Sequence, residues 1–456
     1  MKKIAILFVS SLLVSNVFAV TATKTNVNKV QPQSLKQEVD YIKQGVSDLR
    51  NRVGNKEDYG YVISSPYVGV RATYNANDLL TNLPSVNLDT RLLEQRKEIS
   101  EYLAAHKIPQ HQRPYIALSG AVEAQAIARR DYTQGSKSDL NLSRTELDFE
   151  GNIAPWTTAL VEMIYDDTSP LLGSRVSNSK AYVETGFITF GDLSQSPWYT
   201  TLGQLYVPFG RYYNFMVTDP MTKILGRTLE RIVSLGYTDG RFYGGVYAYK
   251  GDSYTDDRSS NINSWGLNLG YATLWNNIGI KLGVSYISNL ADSKGMQNTK
   301  SANFAGFKTH EKLDHFVPAV NLRGAVQYNN YSFIAEYVGA IRHFDRASDM
   351  SFNNRGARPQ ALDLEENYNF NFMNKMTSFA VGYGRTWDSL AVNLPKNSAF
   401  AKLGIEWFKS TIESIEFRQD WNYSKSTTAN GGGGTVFSPQ GARTRSTITA
   451  QVGIYF

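Results

Sequence analysis

The sequence predicts an all-β transmembrane fold: a single closed antiparallel barrel of sixteen strands in a bacterial outer membrane. Three observations predict it. Residues alternate with period two almost without pause from Tyr115 to Phe456. Short and long connections alternate strictly between those strands. The chain also opens on an export signal, and after it comes no apolar run near the ~20 residues of a transmembrane helix.

The rhythm of connections sets the strand number. Tight links occur at "NIAPW", "GDLSQSP", "TDGR", "WNNI", "YNNY", "MNKM" and "FKST". Between them lie polar loops: "TQGSKSD", "TSPLLGSRVSNSK", Pro208 to Arg227, "GDSYTDDRSSN", Asn289 to Leu313, Phe344 to Gln360, "DSLAVNLPKN" and "SKSTTANGGGGTVFSPQGART". Outer-membrane barrels place short turns in the periplasm and long loops outside. Seven turns and eight loops require sixteen strands, with "LEENYNFNFM" counted as one of them.

Each strand has an apolar and a polar face. In "ALSGAVEAQAIAR", Val122, Ala124 and Ala126 oppose Glu123, Gln125 and Arg129. In "SRTELDFEGNI", Leu147, Phe149 and Ile153 oppose Arg144, Glu146, Asp148 and Glu150. In "SIEFRQDW", Ile415 and Phe417 oppose Glu416, Arg418 and Asp420. An Arg or Lys facing lipid at mid-depth costs roughly 2–4 kcal/mol, so the charged faces line a wet lumen. The last strand, "ITAQVGIYF", alternates to Phe456 and pairs with the first, which removes an apolar edge that a soluble sandwich would expose.

Composition agrees. Tyr 28, Phe 22 and Gly 36 stand against Pro 14. Mean hydropathy is slightly negative, as expected where only every second residue meets lipid. "MKKIAILFVSSLLVSNVFA" has two lysines, an apolar run from Ile4 to Leu13 and small residues before Ala19, so residues 1–19 read as a cleaved signal peptide. Cleavage removes Lys2 and Lys3 and takes the formal charge from +6 to +4, too mild for nucleic acid as a partner. With no cysteine in the chain, a lipidated cysteine and disulfides are both excluded.

Residues 20–57 form a periplasmic segment. Within 34–53, Leu35, Val39, Ile42, Val46, Leu49 and Val53 make a heptad stripe. The stripe has two readings: a short coiled coil joining barrels into a homo-oligomer, or one amphipathic helix lying on the barrel. Residues 58–114 form a linker or a luminal plug, with a helix near 89–106. The barrel proper is 115–456.

No catalytic, cofactor or metal constellation passes its spacing test. "HEKLDH" puts His310 and His315 at H-E-x-x-x-H, one residue too far apart for one helix face. No G-x-S-x-G elbow occurs, and "GGGG" at 431–434 has no following Lys-Ser/Thr. These patterns predict a protein that is not an enzyme. The informative stretch is "LGQLYVPFGRYYNFMVTDPMTKILGRTLE". A long loop that folds inward sets selectivity through rings of charge. Arg211, Tyr212, Tyr213, Asp219, Lys223 and Arg227 are the constriction candidates. Glu123, Arg129, Arg144, Glu146, Asp148, Glu150, Glu416, Arg418 and Asp420 are the luminal wall candidates. An ordinary surface loop is the alternative.

"SPYVGV", "LPSVNLDTRLLEQRKEI", "LSGAVEAQA", "LYVPFGRYYNFMVTDPMTKILGRT" and "LAVNLPKNS" together resemble the LbtU-type siderophore porin family, which includes iron-uptake outer-membrane proteins of Francisella. The resemblance runs from about Tyr59 to Phe456. It implies a sixteen-stranded barrel that takes up iron, mostly as a siderophore complex, with ferrous iron carried by some members. It carries over no ligand residues. Only about ninety residues precede Tyr115 once the signal is removed, too few for a large energy-coupled plug, and "VTATKTNVNK" shows no coupling motif. The alternatives are a general diffusion porin and a barrel-anchored surface protein oligomerised by its coiled coil.

Overall fold

The computed structural model describes residues 61–63, 86–105, 107, 113–132, 135–166, 180–255, 261–276, 278–297, 312–408, 411–431 and 436–456. The signal peptide, the heptad segment 34–53, and His106, His111 and His310 lie outside the described residues.

Sixteen strands form the barrel. They are β1 (Tyr115–Arg130), β2 (Ser136–Ala154), β3 (Thr157–Asp166), β4 (Lys180–Phe190), β5 (Trp198–Tyr206), β6 (Leu229–Thr238), β7 (Phe242–Tyr249) and β8 (Ser264–Trp275). They continue with β9 (Ile278–Ile287), β10 (Ala319–Tyr328), β11 (Tyr331–Ala340), β12 (Gln360–Phe372), β13 (Lys375–Trp387), β14 (Asn397–Ile405), β15 (Thr411–Trp421) and β16 (Thr444–Tyr455). Each pairs antiparallel with its sequence neighbour, and β16 closes on β1 from Ala121↔Tyr455 to Arg130↔Ser446. The first loop is shorter than its sequence suggests. Strand resumes at Ser136, so most of "TQGSKSD" belongs to β2, because Leu140 and Leu142 extend the alternation past the polar residues.

The tight turns follow from asparagine. Asn329 begins the two-residue link of β10–β11, and Met373 and Asn374 form that of β12–β13, all with positive φ. That is the left-handed geometry whose twist matches a hairpin, and Asn tolerates it best after glycine. Large side chains gather at the same rim. Trp156, Trp198, Phe242, Trp275, Tyr331 and Phe408 are all exposed beside short turns. Their rings pair across strands, Trp156 with Phe190 at 5.8 Å and Tyr331 with Tyr368 at 4.7 Å. Such a girdle marks a membrane interface.

Inward and outward positions separate as the alternation requires. Val122, Leu147, Phe149, Ile415, Phe417 and Ile448 are exposed on the outer face, whereas Glu146, Asp148, Glu416 and Asp420 are buried inside. The closing seam is built with equal care. The Phe456 N–H donates to the Gly120 carbonyl at 3.0 Å, and the Gly120 N–H donates back at 2.7 Å. A Cβ on Gly120 would meet the Phe456 ring at 2.4 Å, so any other residue there would have to displace that ring. Strand β1 reaches beyond β16 at its start. There Tyr61–Ile63 pairs with it in parallel, Tyr61 opposite Ile116, and covers what would be an open edge.

Among the described residues, one helix precedes the barrel: α1 (Leu88–Ala105). A second, α2 (Met221–Gly226), lies in the β5–β6 loop. The outer loops fold on one another through a three-stranded sheet of Met350–Phe352, Arg355–Gly356 and Ala429–Gly431. They share one apolar core with the β5–β6 loop, including Phe209, Leu225, Leu290, Phe344 and Tyr423.

Asp292 ties two of these loops together. Its carboxylate accepts from the Ser253 N–H at 2.9 Å and Asn289 Nδ2 at 3.1 Å. Burial pushes its pKa up to about 6 from 3.8. The folded state therefore holds this proton more tightly than the unfolded chain. Stability is lost as pH rises from about 4 through about 6, on the order of 2–3 kcal/mol in local terms. Amide exchange around Ser253 and Asn289, corrected for its intrinsic rate, should be slower at pH 5 than at pH 7. Asp292→Asn should remove that difference; a wild-type difference of zero would mean the charge is not held out of water.

Candidate functional site: a loop folded into the barrel

The loop between β5 and β6 turns inward because its residues cannot stay in water. Phe209, Phe215, Met221 and Leu225 are all buried, although they belong to a connection rather than a strand. Gly210 starts the inward turn with φ +89°, and a Cβ there would strike Tyr212 at 2.5 Å and Glu336 Oε1 at 2.8 Å. Both the dihedral and the close approach require glycine.

The loop backbone is then held by carboxylates of the opposite wall. Glu336 on β11 accepts from the N–H groups of Arg211 at 2.9 Å and Tyr212 at 2.7 Å. Glu365 on β12 accepts from the Phe215 N–H at 2.6 Å. Glu416 on β15 accepts from the N–H groups of Val217 at 2.6 Å and Thr218 at 3.0 Å. Lys402 on β14 donates to the Phe215 carbonyl at 2.9 Å. A carboxylate facing backbone amides makes charge-assisted bonds about twice as strong as neutral ones. The loop thus crosses from β5 to the far side of the barrel.

The six loop candidates divide into three groups. Arg211 and Tyr213 face β7, β9 and β10, with the Arg211 guanidinium 5.0 Å from the Tyr243 ring centroid. Tyr212 is packed away between Gly210 and Gly226 and does not line open space. Asp219, Lys223 and Arg227 face the other way. Lys223 Nζ lies 2.6 Å from Asp219 Oδ1, and Arg227 stacks 4.3 Å from the Tyr206 ring centroid. Burial disfavours the Asp219 charge, but Lys223 and Arg227 hold its carboxyl below the usual range. The structure therefore does not gather Arg211 with Lys223 and Arg227 into one ring, because the chain between them has crossed the lumen.

The wall candidates are interior and paired. Arg144 clasps Glu146 with both Nε and Nη2 at 2.6 Å. Arg418 and Arg445 share Asp420, each at 2.7 Å. Arg129 meets Asp131 at 2.9 Å, and Glu123 accepts from the Tyr455 hydroxyl at 2.8 Å. Ser119 donates to Asp148 at 3.2 Å, and Glu150 is buried further down β2. Glu146, Asp148 and Glu162 bring one carboxylate oxygen each within 4.8 Å of one another, beside Arg144; among the described residues this is the grouping of metal-type ligands the lumen offers.

Helix α1 also lies against inward-facing groups. Asp89 accepts from Thr201 Oγ1 at 2.8 Å, and Thr90 Oγ1 is 2.5 Å from the Tyr199 hydroxyl. Asn87 accepts from Asn268 Nδ2 at 2.9 Å and donates to the Gly210 carbonyl at 3.4 Å. Arg96 donates to Thr158 and, at 2.5 Å, to the carbonyl of Gly191 in the β4–β5 turn. Its partners thus run from the inward loop to the short-turn rim.

No protein-family model matches the chain. A UPF0422 protein of Legionella pneumophila (strain Lens) is 38% identical over 417 residues, covering 87% of this chain and 76% of that protein. A UPF0422 protein of Coxiella burnetii is 32% identical over an alignment of 462 residues, covering 96% of this chain and 97% of that protein. The chain belongs to the UPF0422 family. Among solved structures, OmpF of Salmonella typhi aligns at 12% identity with TM-score 0.49, over 75% of this chain and 98% of that one.

In this UPF0422 chain, alternation alone places the wall charges indoors. It cannot say which of them hold the loop. Alternation does not single out Glu336, Glu365, Lys402, Glu184 or Lys294, and it marks Glu416 only as a wall charge. Lys294 meets Glu184 at 2.5 Å and the Tyr206 hydroxyl at 2.8 Å, from a loop far away along the chain. For the strand residues among them, a single charged residue at an inward position is the signal they leave, and many other residues share it.

Proposed function

We propose that this UPF0422 protein is a porin-like outer-membrane channel that favours small anionic solutes, with ferric siderophore complexes as its cargo. One observation carries the anionic preference. In the interior ion pairs the cation lies nearer the water than its partner. Side-chain exposure is 32% for Arg144 against 4% for Glu146, and 40% for Lys294 against 10% for Glu184. It is 21% for Arg445 against 0% for Asp420. Lys223 and Asp219 reverse the order, at 21% and 44%. The carboxylates stand behind and the cations in front, so a passing ion meets a mostly positive layer. Iron as cargo rests on the resemblance carried by "LYVPFGRYYNFMVTDPMTKILGRT" and its companion motifs.

The test is to replace Arg211, Lys223 and Arg227 together with Glu. In planar bilayers under a salt gradient, the reversal potential should move toward cation selectivity, and less so at high salt where charges are screened. Uptake of labelled ferric siderophore by cells carrying the variant should fall. Unchanged selectivity in a properly assembled variant would leave a general diffusion porin, and a wild-type barrel that conducts nothing would favour a surface-anchored structural protein.

A further inference from the structure

A chamber of about 460 Å³ lies inside the barrel on the short-turn side of the inward loop. It abuts Gly240 and Arg241 of the β6–β7 turn. Tyr213 and Phe215 of the loop form its roof. The floor is small: Gly279, Ala272 and Ala325 leave the backbone close to the cavity. That volume suits a molecule of drug size, and a low floor opposite two rings suits a flat one.

Its chemistry is one-sided. Lys281 and Arg241 line the chamber, and no carboxylate does. A narrow recess continues from it, sharing Tyr213 and Lys281, and adds Arg211, Arg323 and Tyr243. Glu336 and Asp363 stand at the back of this recess. Glu336 is already engaged by two loop amides and by Asn321 Nδ2 at 2.6 Å. Arg323 is held by neutral oxygens only: Ser285 at 2.6 Å, Asn321 at 3.1 Å and the Tyr243 hydroxyl at 3.3 Å are among them. Among the described residues, none of Arg211, Lys281 and Arg323 has a carboxylate at ion-pair distance. The Nε groups of Arg211 and Arg323 are buried without an acceptor. A buried donor on a cation, left unmade, is an arrangement that an arriving anion completes.

We propose that this chamber is a binding site for an aromatic carboxylate, its ring between the Tyr213–Phe215 roof and the Gly279 floor and its carboxylate toward Lys281 and Arg211. The site rests on the reading of the barrel as a solute channel and narrows its substrate class. The Tyr213 phenol reads the same positive field: burial works against its ionisation, yet Arg211, Lys281 and Arg323 hold its pKa below the ordinary range. The ring of the ligand supplies the apolar contact, and the charge supplies the orientation.

Calorimetry on the full chain in detergent tests the site without requiring conduction. The probe is 2-naphthoate, with 2-naphthalenemethanol and acetate as partial mimics. 2-Naphthoate should bind at one site, at least tenfold more tightly than either mimic. Lys281→Gln and Arg211→Gln should each weaken it about tenfold, and Gly279→Leu should abolish it by filling the floor. Lys425→Gln, on an exposed outer loop, should leave it unchanged. In bilayers the same probe should interrupt the current of wild-type channels, and do so less in Lys281→Gln. No binding in the calorimeter, or equal binding of the alcohol and the acid, overturns the site even if the barrel conducts. Binding by a barrel that conducts nothing would sustain the site while removing the channel reading.

Discussion

Replacing Glu416 with Ala should free the middle of the inward loop and widen the channel. Glu416 is buried on β15 and accepts from Val217 N–H, Thr218 N–H and, at 2.5 Å, the Thr218 hydroxyl. Alanine leaves three half-buried donors without that acceptor. Each unsatisfied donor costs about 1–3 kcal/mol, so the loop should leave this position rather than tolerate them. The barrel itself does not depend on the loop, because its ladder closes through β1 and β16. The expected result is a heat-modifiable barrel of normal yield whose single-channel conductance exceeds wild type. Trypsin should also cut at Arg211 or Lys223, which the wild type protects. Adding Glu336→Ala, which orphans the Arg211 and Tyr212 amides, should increase both effects. Glu416→Gln keeps one acceptor oxygen and should fall between. Wild-type conductance together with wild-type trypsin resistance in Glu416→Ala would show that Glu336, Glu365, Lys402 and the apolar packing of Phe215 and Leu225 hold the loop without Glu416.

The sixteen-strand barrel was legible because its signals are local. Alternation at Leu147, Phe149 and their neighbours reports lipid on one side, and asparagine pairs report turns. Each is a property of a few consecutive residues. The position of the β5–β6 loop is a different kind of fact. Its residues show unusual apolarity for a loop, with Phe209, Phe215 and Leu225, which hints at burial. What they are buried against is set by strands 120 to 200 residues further on. Glu336, Glu365 and Glu416 occupy inward positions like many other charges, and nothing in their own neighbourhood marks them as partners of the loop. The same limit explains the split between Arg211 and Arg227. They sit sixteen residues apart and read as one basic cluster, yet the chain between them spans the lumen. The helix near 89–106 was legible from its apolar spacing, and α1 covers 88–105. Whether it stood in the periplasm or the lumen depended on Thr201, Tyr199 and Asn268, which the sequence gives no reason to single out.

Loosening α1 should raise conductance as well, by a separate route. Sixteen strands about 4.8 Å apart and tilted near 40° enclose a backbone cylinder roughly 32 Å across. Side chains reduce the free width to about 22 Å, and a helix about 10 Å wide then takes roughly a fifth of the cross-section. Two polar anchors hold the first half of α1. Asp89 is buried and bonded to Thr201 and to the Thr90 N–H at 2.8 Å. Arg96 bonds to Thr158 and Gly191 near the short-turn rim. Hydrogen bonds to charged groups contribute about 1.5–3 kcal/mol each. Asp89→Ala with Arg96→Ala removes these and leaves α1 held by Leu88, Leu92 and Leu93 and by the bonds of Thr90 to Tyr199 and of Glu94 to Thr238. Single-channel conductance of the double variant should rise by about a fifth or more, with added flicker as the helix leaves and returns. Exchange of the α1 amides should accelerate while that of the barrel strands stays slow. Because the native chain has no cysteine, a single cysteine at Glu98 gives a clean second measure: a thiol reagent added from the periplasmic side should reach it faster in the double variant. Faster exchange of α1 without any change in conductance would place the narrowest point at the β5–β6 loop and make the helix a bystander to flow.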